Sequence, residues 1–336
     1  MDPNYGLCTY DTTHRISWIN GHSLERSQFF ELFGLVLGLA AYNSVMIDMP
    51  FPDVFYKKLL TESWDKGKQE YTGDLEELLD ELSQVYPEVH RGLMMLLSWD
   101  SERDGGTVEE IFCRNFEISY DVLGQVKTYP LVENGSDIPV TEDNRKDYCS
   151  QYARHLLYGS IRKPFASILK GFWTVVGGPS TDSPSSKQQH NHCRAIRLFR
   201  PEELRLLLTG LSADGPTDLV RLYSASAFCQ LRAAATYDGY EATSVYICDF
   251  WDIVLDEFTD DQRRKLLWFV TASDRIPLGG LRQVTFVVQK NGTDDSRLPT
   301  AMTCFGRLLL PQYSDRDLLK LRLAQAIEES QGFGLM

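Results

Sequence analysis

The sequence predicts an α+β protein of two lobes, a mainly helical N-terminal lobe and a smaller α/β C-terminal lobe on a flexible hinge. Three observations carry that reading. Apolar residues recur at helical spacing through most of the first 209 positions. The stretch GLSADGP at 210–216 then interrupts the pattern. Beyond it, short β-branched runs alternate with further helices. At 336 residues the chain has room for both parts, since a domain takes roughly 100–200 residues.

Taken in order, the first helix is expected behind Ser23 as N-cap. Phe29, Phe30, Phe33, Leu37 and Ala41 share one face, and apolar residues fill other faces too, so the helix should be central. Its uncharged stretch 32–47, broken by Gly34, Gly38, Asn43 and Ser44, falls short of the roughly 20 apolar residues that span a bilayer. Asp74 caps a helix with Leu75, Leu78, Leu79 and Leu82 on one stripe, and Pro87 suits the first turn of the next. Thr141 opens a long polar-faced helix reaching 159, and the Gly-, Pro- and Ser-rich residues 177–192 read as a surface loop. A short helix over 200–210 starts at Pro201 and closes at Gly210. Past the hinge, Thr259 and Gln262 form a capping box. Residues 284–289 (VTFVVQ) and 307–310 (RLLL) read as strands, with an Asn291-Gly292 turn behind the first. Ser314 and Asp317 form a second box, opening a helix that runs to about Ser330.

Composition excludes several functions. Forty-seven acidic residues against 34 basic ones leave a net charge of −13 with no basic patch, which repels a phosphate backbone and argues against nucleic acid. The N-terminus has neither a basic start nor an apolar signal core, so neither export nor membrane insertion is expected. Seven scattered cysteines (Cys8, Cys113, Cys149, Cys193, Cys229, Cys248, Cys304) form no C-x-x-C pair. Reduced thiols in the cytoplasm or nucleus follow, rather than a disulfide framework or a zinc site.

The common phosphate-, dinucleotide-, zinc- and serine-hydrolase motifs are absent, and two of the six histidines, His190 and His192, fall in the polar loop. No cofactor is implied. Cys304 lies between a polar turn and a strand, flanked by Pro299 and Pro311. On that context alone a lone cysteine is more often a buried hydrophobe than a nucleophile.

Its neighbours change the weighting. LPTAMTCFGRLLLPQYS at 298–314, with a helix and a terminal GFGLM behind it, closely resembles the active-site segment of the HECT family of ubiquitin-protein ligases. Residues 18–60, ENGSDIPVTEDNRKDY at 133–148, LFRPEELRLLLTG at 198–210 and TYDGYEATSVYICDFWDIV within 236–281 fall in that family's order and spacing. The resemblance implies the bilobal HECT fold: an N-lobe over 1–209, with a conjugating-enzyme-binding subdomain at about 85–150, a hinge at 210–216 and a C-lobe over 217–336.

It also implies roles. Cys304 matches the cysteine that takes ubiquitin from a ubiquitin-conjugating enzyme as a thioester and passes it to a lysine of a protein substrate, with Thr303 beside it to orient the incoming thioester. Phe333 matches the aromatic residue that docks the family's tail during transfer; on local sequence it is equally a contact closing the last helix. Leu93, Leu96, Trp99, Phe112 and Tyr148 match the groove for the conjugating enzyme. Read as residues, the leucines are core and Trp99 and Tyr148 are contacts. Gly210 and Gly215 supply the hinge with soft dihedrals, and either alone is also an ordinary loop glycine.

The chain departs from the family in three ways. Met302 stands where the family usually has His. The match begins after the family's opening strand and first long helices, so apolar surface should be exposed. Insertions fall near 177–195 and 220–230, the second apolar enough to require burial. Two other readings stay open: a catalytically weak relative that binds conjugating enzyme or ubiquitin as a module, and a cysteine hydrolase. No histidine follows Cys304, which disfavours the hydrolase, though His155 lies upstream.

Overall fold

A computed structural model describes residues 6–47, 49–60, 74–122, 125–177, 196, 198–211 and 222–329. It divides into two compact units, 1–208 and 209–336. In the first unit the elements run β1 (Cys8–Asp11), β2 (Ile16–Ile19), α1 (Ser27–Asn43), α2 (Asp53–Leu60), α3 (Leu75–Val85), α4 (Pro87–Ser98), α5 (Val108–Phe112), β3 (Glu117–Val122), β4 (Gln125–Pro130), α6 (Arg145–Arg154), α7 (Arg162–Val176) and α8 (Pro201–Thr209). Single π-helical turns follow α4 at Ser101–Gly105 and α6 at His155–Gly159. Two antiparallel hairpins, β1–β2 and β3–β4, lie in a half read from sequence as helical.

Asp74 caps α3 by accepting from the Glu77 amide at 2.8 Å, and Pro87 sits in the first turn of α4, both as expected. Ser23 does not cap α1. Its amide donates to the Asn20 carbonyl and its hydroxyl accepts from Glu25, forming a turn, and the helix begins four residues later. Thr141 likewise forms a turn, exchanging backbone–side-chain bonds with Asn144, and α6 starts only at Arg145.

α1 crosses α7 so closely that backbones touch. A Cβ on Gly34 would lie 2.0 Å from the Ile168 carbonyl oxygen, and one on Gly171 would lie 2.0 Å from that of Glu31. Phe30, Leu37, Ala40 and Ala41 face this seam and are buried. The expectation of a central helix fails on the other side: Phe29, Leu32, Val36, Leu39 and Tyr42 form an exposed apolar stripe. Glu81 on α3 is buried and accepts from Lys57 of α2 and from the Tyr158 hydroxyl, each at 2.7 Å, which ties three elements together.

The second unit holds α9 (Ala225–Ala234), β5 (Thr236–Asp238), α10 (Val245–Asp252), α11 (Asp260–Thr271), β6 (Val287–Lys290), β7 (Thr300–Met302), β8 (Arg307–Leu310) and α12 (Arg316–Glu329). The sheet order is β5-β6-β8-β7, with the first three strands parallel and β7 antiparallel to β8 at the edge. Val288, Leu308 and Leu310 point into a core with Trp251, Leu266, Val270, Leu319 and Leu323. The capping box at Thr259 forms as read. Strand β6 begins at Val287 rather than Val284, because the Val284 amide closes a 3-10 turn on Leu281. At α12, Asp315 rather than Ser314 provides the cap, accepting from the Leu318 amide, and the Ser314 amide donates to the Asp295 carboxylate instead of to Asp317.

The apolar insertion near 220–230 finds its burial here. Ser224 caps α9, which sends Phe228 and Leu231 into the core, and Tyr223 is buried beside them. Arg263 on α11 binds this insertion to the rest: its buried guanidinium donates to the carbonyls of Tyr223, Val254, Leu255 and Phe258 and to the Asp260 carboxylate.

Candidate active site

Cys304 sits in a single 3-10 turn, Thr303–Phe305, between edge strand β7 and β8. Antiparallel pairing of β7 with β8 sets Met302 opposite Arg307, so the three turn residues and Gly306 must reverse the chain within a short span. The Gly306 amide closes the turn on the Thr303 carbonyl at 3.2 Å, and its own carbonyl accepts from Val287 at 2.8 Å, anchoring the turn to β6. The thiol is exposed, as is Thr303. Met302 and Phe305, 43% and 61% exposed, flank it with apolar surface. Arg307 lies across the strands and donates to Asp238 and Gln289, each at 3.1 Å.

The result is an exposed cysteine in a turn at the end of an edge strand. The unit that carries it contains no histidine, since all six precede residue 193. A thiol with no imidazole base in its own unit is suited to exchange with an already activated acyl group, such as another thioester, more than to attack on an amide. Met302 is exposed, so in the place of the family's usual His it is not a packing substitution. Among the described residues no group of three or more His, Cys, Asp or Glu could hold a metal ion, and no helix is long and apolar enough to cross a membrane.

The five residues expected to line the groove fall in the first unit, but they are not alike. Leu93 and Leu96 are buried on the inner face of α4. Trp99, just past its end, and Phe112, at the end of α5, are half-buried and meet edge to face at 5.4 Å. Tyr148 does not reach the surface. It is 4% exposed, its ring packed edge-on against Phe116 at 5.4 Å, and burial pushes its phenol pKa upward. Its reading as a contact is therefore corrected to core. The exposed apolar residues here are Met94, Met95 and Ile111, which the sequence reading passed over. Their signal was present: Met94 and Met95 fall on the face of α4 opposite Leu93 and Leu96.

Of the hinge, Gly210 is described and has φ +70°, a value that favours glycine. The next residue, Leu211, exchanges two backbone hydrogen bonds with Ile276, at 2.8 and 2.9 Å. Gly215 and Phe333 lie outside the described residues, so their expected roles rest on sequence alone.

Comparison with known proteins agrees with this geometry. The HECT-domain (ubiquitin-transferase) family model matches residues 1–336. The chain is 36% identical over 334 residues to the probable E3 ubiquitin-protein ligase HECTD2 of Mus musculus, covering 99% of this chain and 39% of that protein. It is 31% identical over 337 residues to the probable E3 ubiquitin-protein ligase HERC4 of Rattus norvegicus, covering 100% of this chain and 28% of that protein. It is 32% identical over 348 residues to the probable E3 ubiquitin-protein ligase HUL4 of Eremothecium gossypii, covering 99% of this chain and 36% of that protein. The chain thus spans well under half the length of these relatives.

Proposed function

Since this chain belongs to the HECT-domain family of ubiquitin transferases, we propose that Cys304 carries ubiquitin from a ubiquitin-conjugating enzyme to a lysine of a protein substrate. The Cys304 thiolate attacks the carbonyl carbon that joins ubiquitin's C-terminal glycine to the conjugating enzyme's cysteine. A new C–S bond forms, the old one breaks, and the departing thiolate takes up the proton Cys304 lost. One thioester replaces another, so the step is close to balanced in free energy. A lysine amine then attacks the Cys304 thioester, an isopeptide bond forms, the thiolate leaves and the amine's surplus proton passes to solvent. This second step runs downhill to an amide.

The single observation that carries the reading is the exposed Cys304 thiol on a turn that the sheet holds from both sides. Thr303 beside it orients the incoming carbonyl, and Phe333 docks the tail during transfer. The conjugating enzyme docks on Trp99, Phe112, Met94, Met95 and Ile111, with Leu93, Leu96 and Tyr148 supporting them from below. Motion about Gly210 and Gly215 turns the loaded cysteine from donor to acceptor. The reading includes a reducing compartment, the cytoplasm or nucleus, on the scattered cysteine pattern of the sequence.

The test is charging with ubiquitin, activating enzyme and conjugating enzyme. The reading expects an adduct that thiol reductant removes and that Cys304→Ala abolishes; an adduct persisting in Cys304→Ala rejects it. Met302 in place of the family's His favours one alternative, a weak relative that binds conjugating enzyme without accepting ubiquitin. Binding without any charging of the unmodified chain would establish that alternative.

A further inference from the structure

A helix leaves its last carbonyls without helical partners. At the end of α4 two carbonyls, of Leu96 in the last turn and of Trp99 at the C-cap, accept from one distant side chain. The half-buried Arg145, at the start of α6, donates Nη1 to Leu96 O at 3.2 Å and to Trp99 O at 2.6 Å. The indole of Trp99 is fastened in two further ways: its Nε1 donates to Gly106 O at 3.2 Å, and its ring meets Phe112 edge to face. Phe112 is itself fixed by the short α5, whose start is closed by a Thr107–Glu110 capping box. Trp99 and Arg145 together line a concavity of about 310 Å³ with Ser101, Arg103 and Glu142.

We propose that Arg145 is a positioning residue for docking of the conjugating enzyme, acting through Trp99 by holding its backbone so that the indole is presented preformed. The proposal rests on the reading that Trp99 touches that partner. A preformed aromatic anchor spares the complex the ordering cost of a mobile one, so its loss weakens encounter without altering the chemistry at Cys304. Arg suits the position because its guanidinium is always charged and its Nη1 carries two N–H groups, one for each carbonyl, on a planar group that holds them in fixed directions. A lysine ammonium has donors enough for both but sits on a more flexible stem and does not fix their directions.

The experiment is steady-state charging of the whole chain with ubiquitin-loaded conjugating enzyme as the varied substrate, using Arg145→Met, Arg145→Lys, Trp99→Ala and the Arg145→Met/Trp99→Ala pair. Arg145→Met should raise the KM for the loaded conjugating enzyme about tenfold while the maximal rate stays within about twofold. Arg145→Lys should recover part of that loss. In the Trp99→Ala background, Arg145→Met should add less than about twofold, because the residue it acts through is gone. A multiplicative double variant, or equal loss in maximal rate and KM, overturns the proposal. If Arg145→Met lowers the unfolding midpoint, Arg145→Lys and its own pairing with Trp99→Ala carry the same test. If Trp99→Ala itself leaves KM unchanged, the docking reading falls and the proposal with it. If Trp99→Ala raises KM and Arg145→Met does not, only the proposal falls.

Discussion

The carbonyl oxygen of Thr285 occupies the space a side chain on residue 306 would need. A Cβ built on Gly306 lies 2.2 Å from it, and Gly306 holds φ at +56°. The turn that carries Cys304 therefore closes only with glycine behind it. Gly306→Ala should destabilise the C-terminal unit by about 2–4 kcal/mol, combining left-handed strain with a backbone clash. Denaturant unfolding measures that loss. Charging assayed where the variant is still folded should also fall, because relief of the clash moves the turn; full charging there would show that the turn tolerates displacement.

Arg263 makes a second prediction. It is 6% exposed and donates to four backbone carbonyls, two of them, those of Val254 and Leu255, within the π-helical turn Ile253–Glu257 that follows α10. Arg263→Met keeps the aliphatic stem and orphans those acceptors, at a cost of about 3–5 kcal/mol. Its exposed ion-pair partner Asp260 matters far less, and Asp260→Asn should change stability by less than about 1 kcal/mol. Paired unfolding curves decide between them, and equal losses would mean that the ion pair, not the carbonyl cage, is what Arg263 supplies.

Tyr148 and Met95 should separate stability from docking. Tyr148→Ala opens a cavity under Phe116 and should cost about 3–5 kcal/mol. Met95, 60% exposed on α4, is free of such a role, and Met95→Asp should leave the unfolding midpoint nearly unchanged while raising the KM for conjugating enzyme several-fold. Unchanged charging kinetics in Met95→Asp would place the docking surface elsewhere.

The signals that sequence carried well were local ones. A cap such as Asp74 or Thr259 needs only an oxygen and an amide three residues on, and both formed as read. At Ser314 the expected box did not form: its amide donates to Asp295, nineteen residues away, and the neighbouring Asp315 caps the helix. Tyr148 was illegible for a similar reason: its burial depends on Phe116, which arrives from across the chain. The hairpins β1–β2 and β3–β4 depend on pairing between strands rather than on period within one. At the candidate site, Cys304 was visible through its neighbours in sequence. Arg145 was not, because the two carbonyls it binds lie more than forty residues before it.

Acid should loosen the N-terminal unit before carboxylates titrate. Burial, followed by the charge of Lys127, lowers the pKa of His22, and burial, followed by the charge of His22, lowers that of His155. The ring of Tyr120 lies 4.1 Å from the first and 5.9 Å from the second. Unfolded, both titrate near 6.5. Below that pH the unfolded chain binds protons that the folded chain refuses, so stability is full above it and declines as pH falls through the depressed folded values. Unfolding free energy followed from about pH 7.5 down to about pH 5 should show this decline, and His155→Gln should flatten it. An unchanged slope in that variant would assign the acid response to other groups.

The most direct measurement is to trap the intermediate and locate it. Cys304→Ser should accept ubiquitin as an oxygen ester that resists thiol reductant and yields to hydroxide. Peptide mass spectrometry of that adduct should find ubiquitin's C-terminal remnant on residue 304. The remnant on Cys113 or Cys229, both also exposed, with residue 304 unmodified, would contradict the assignment.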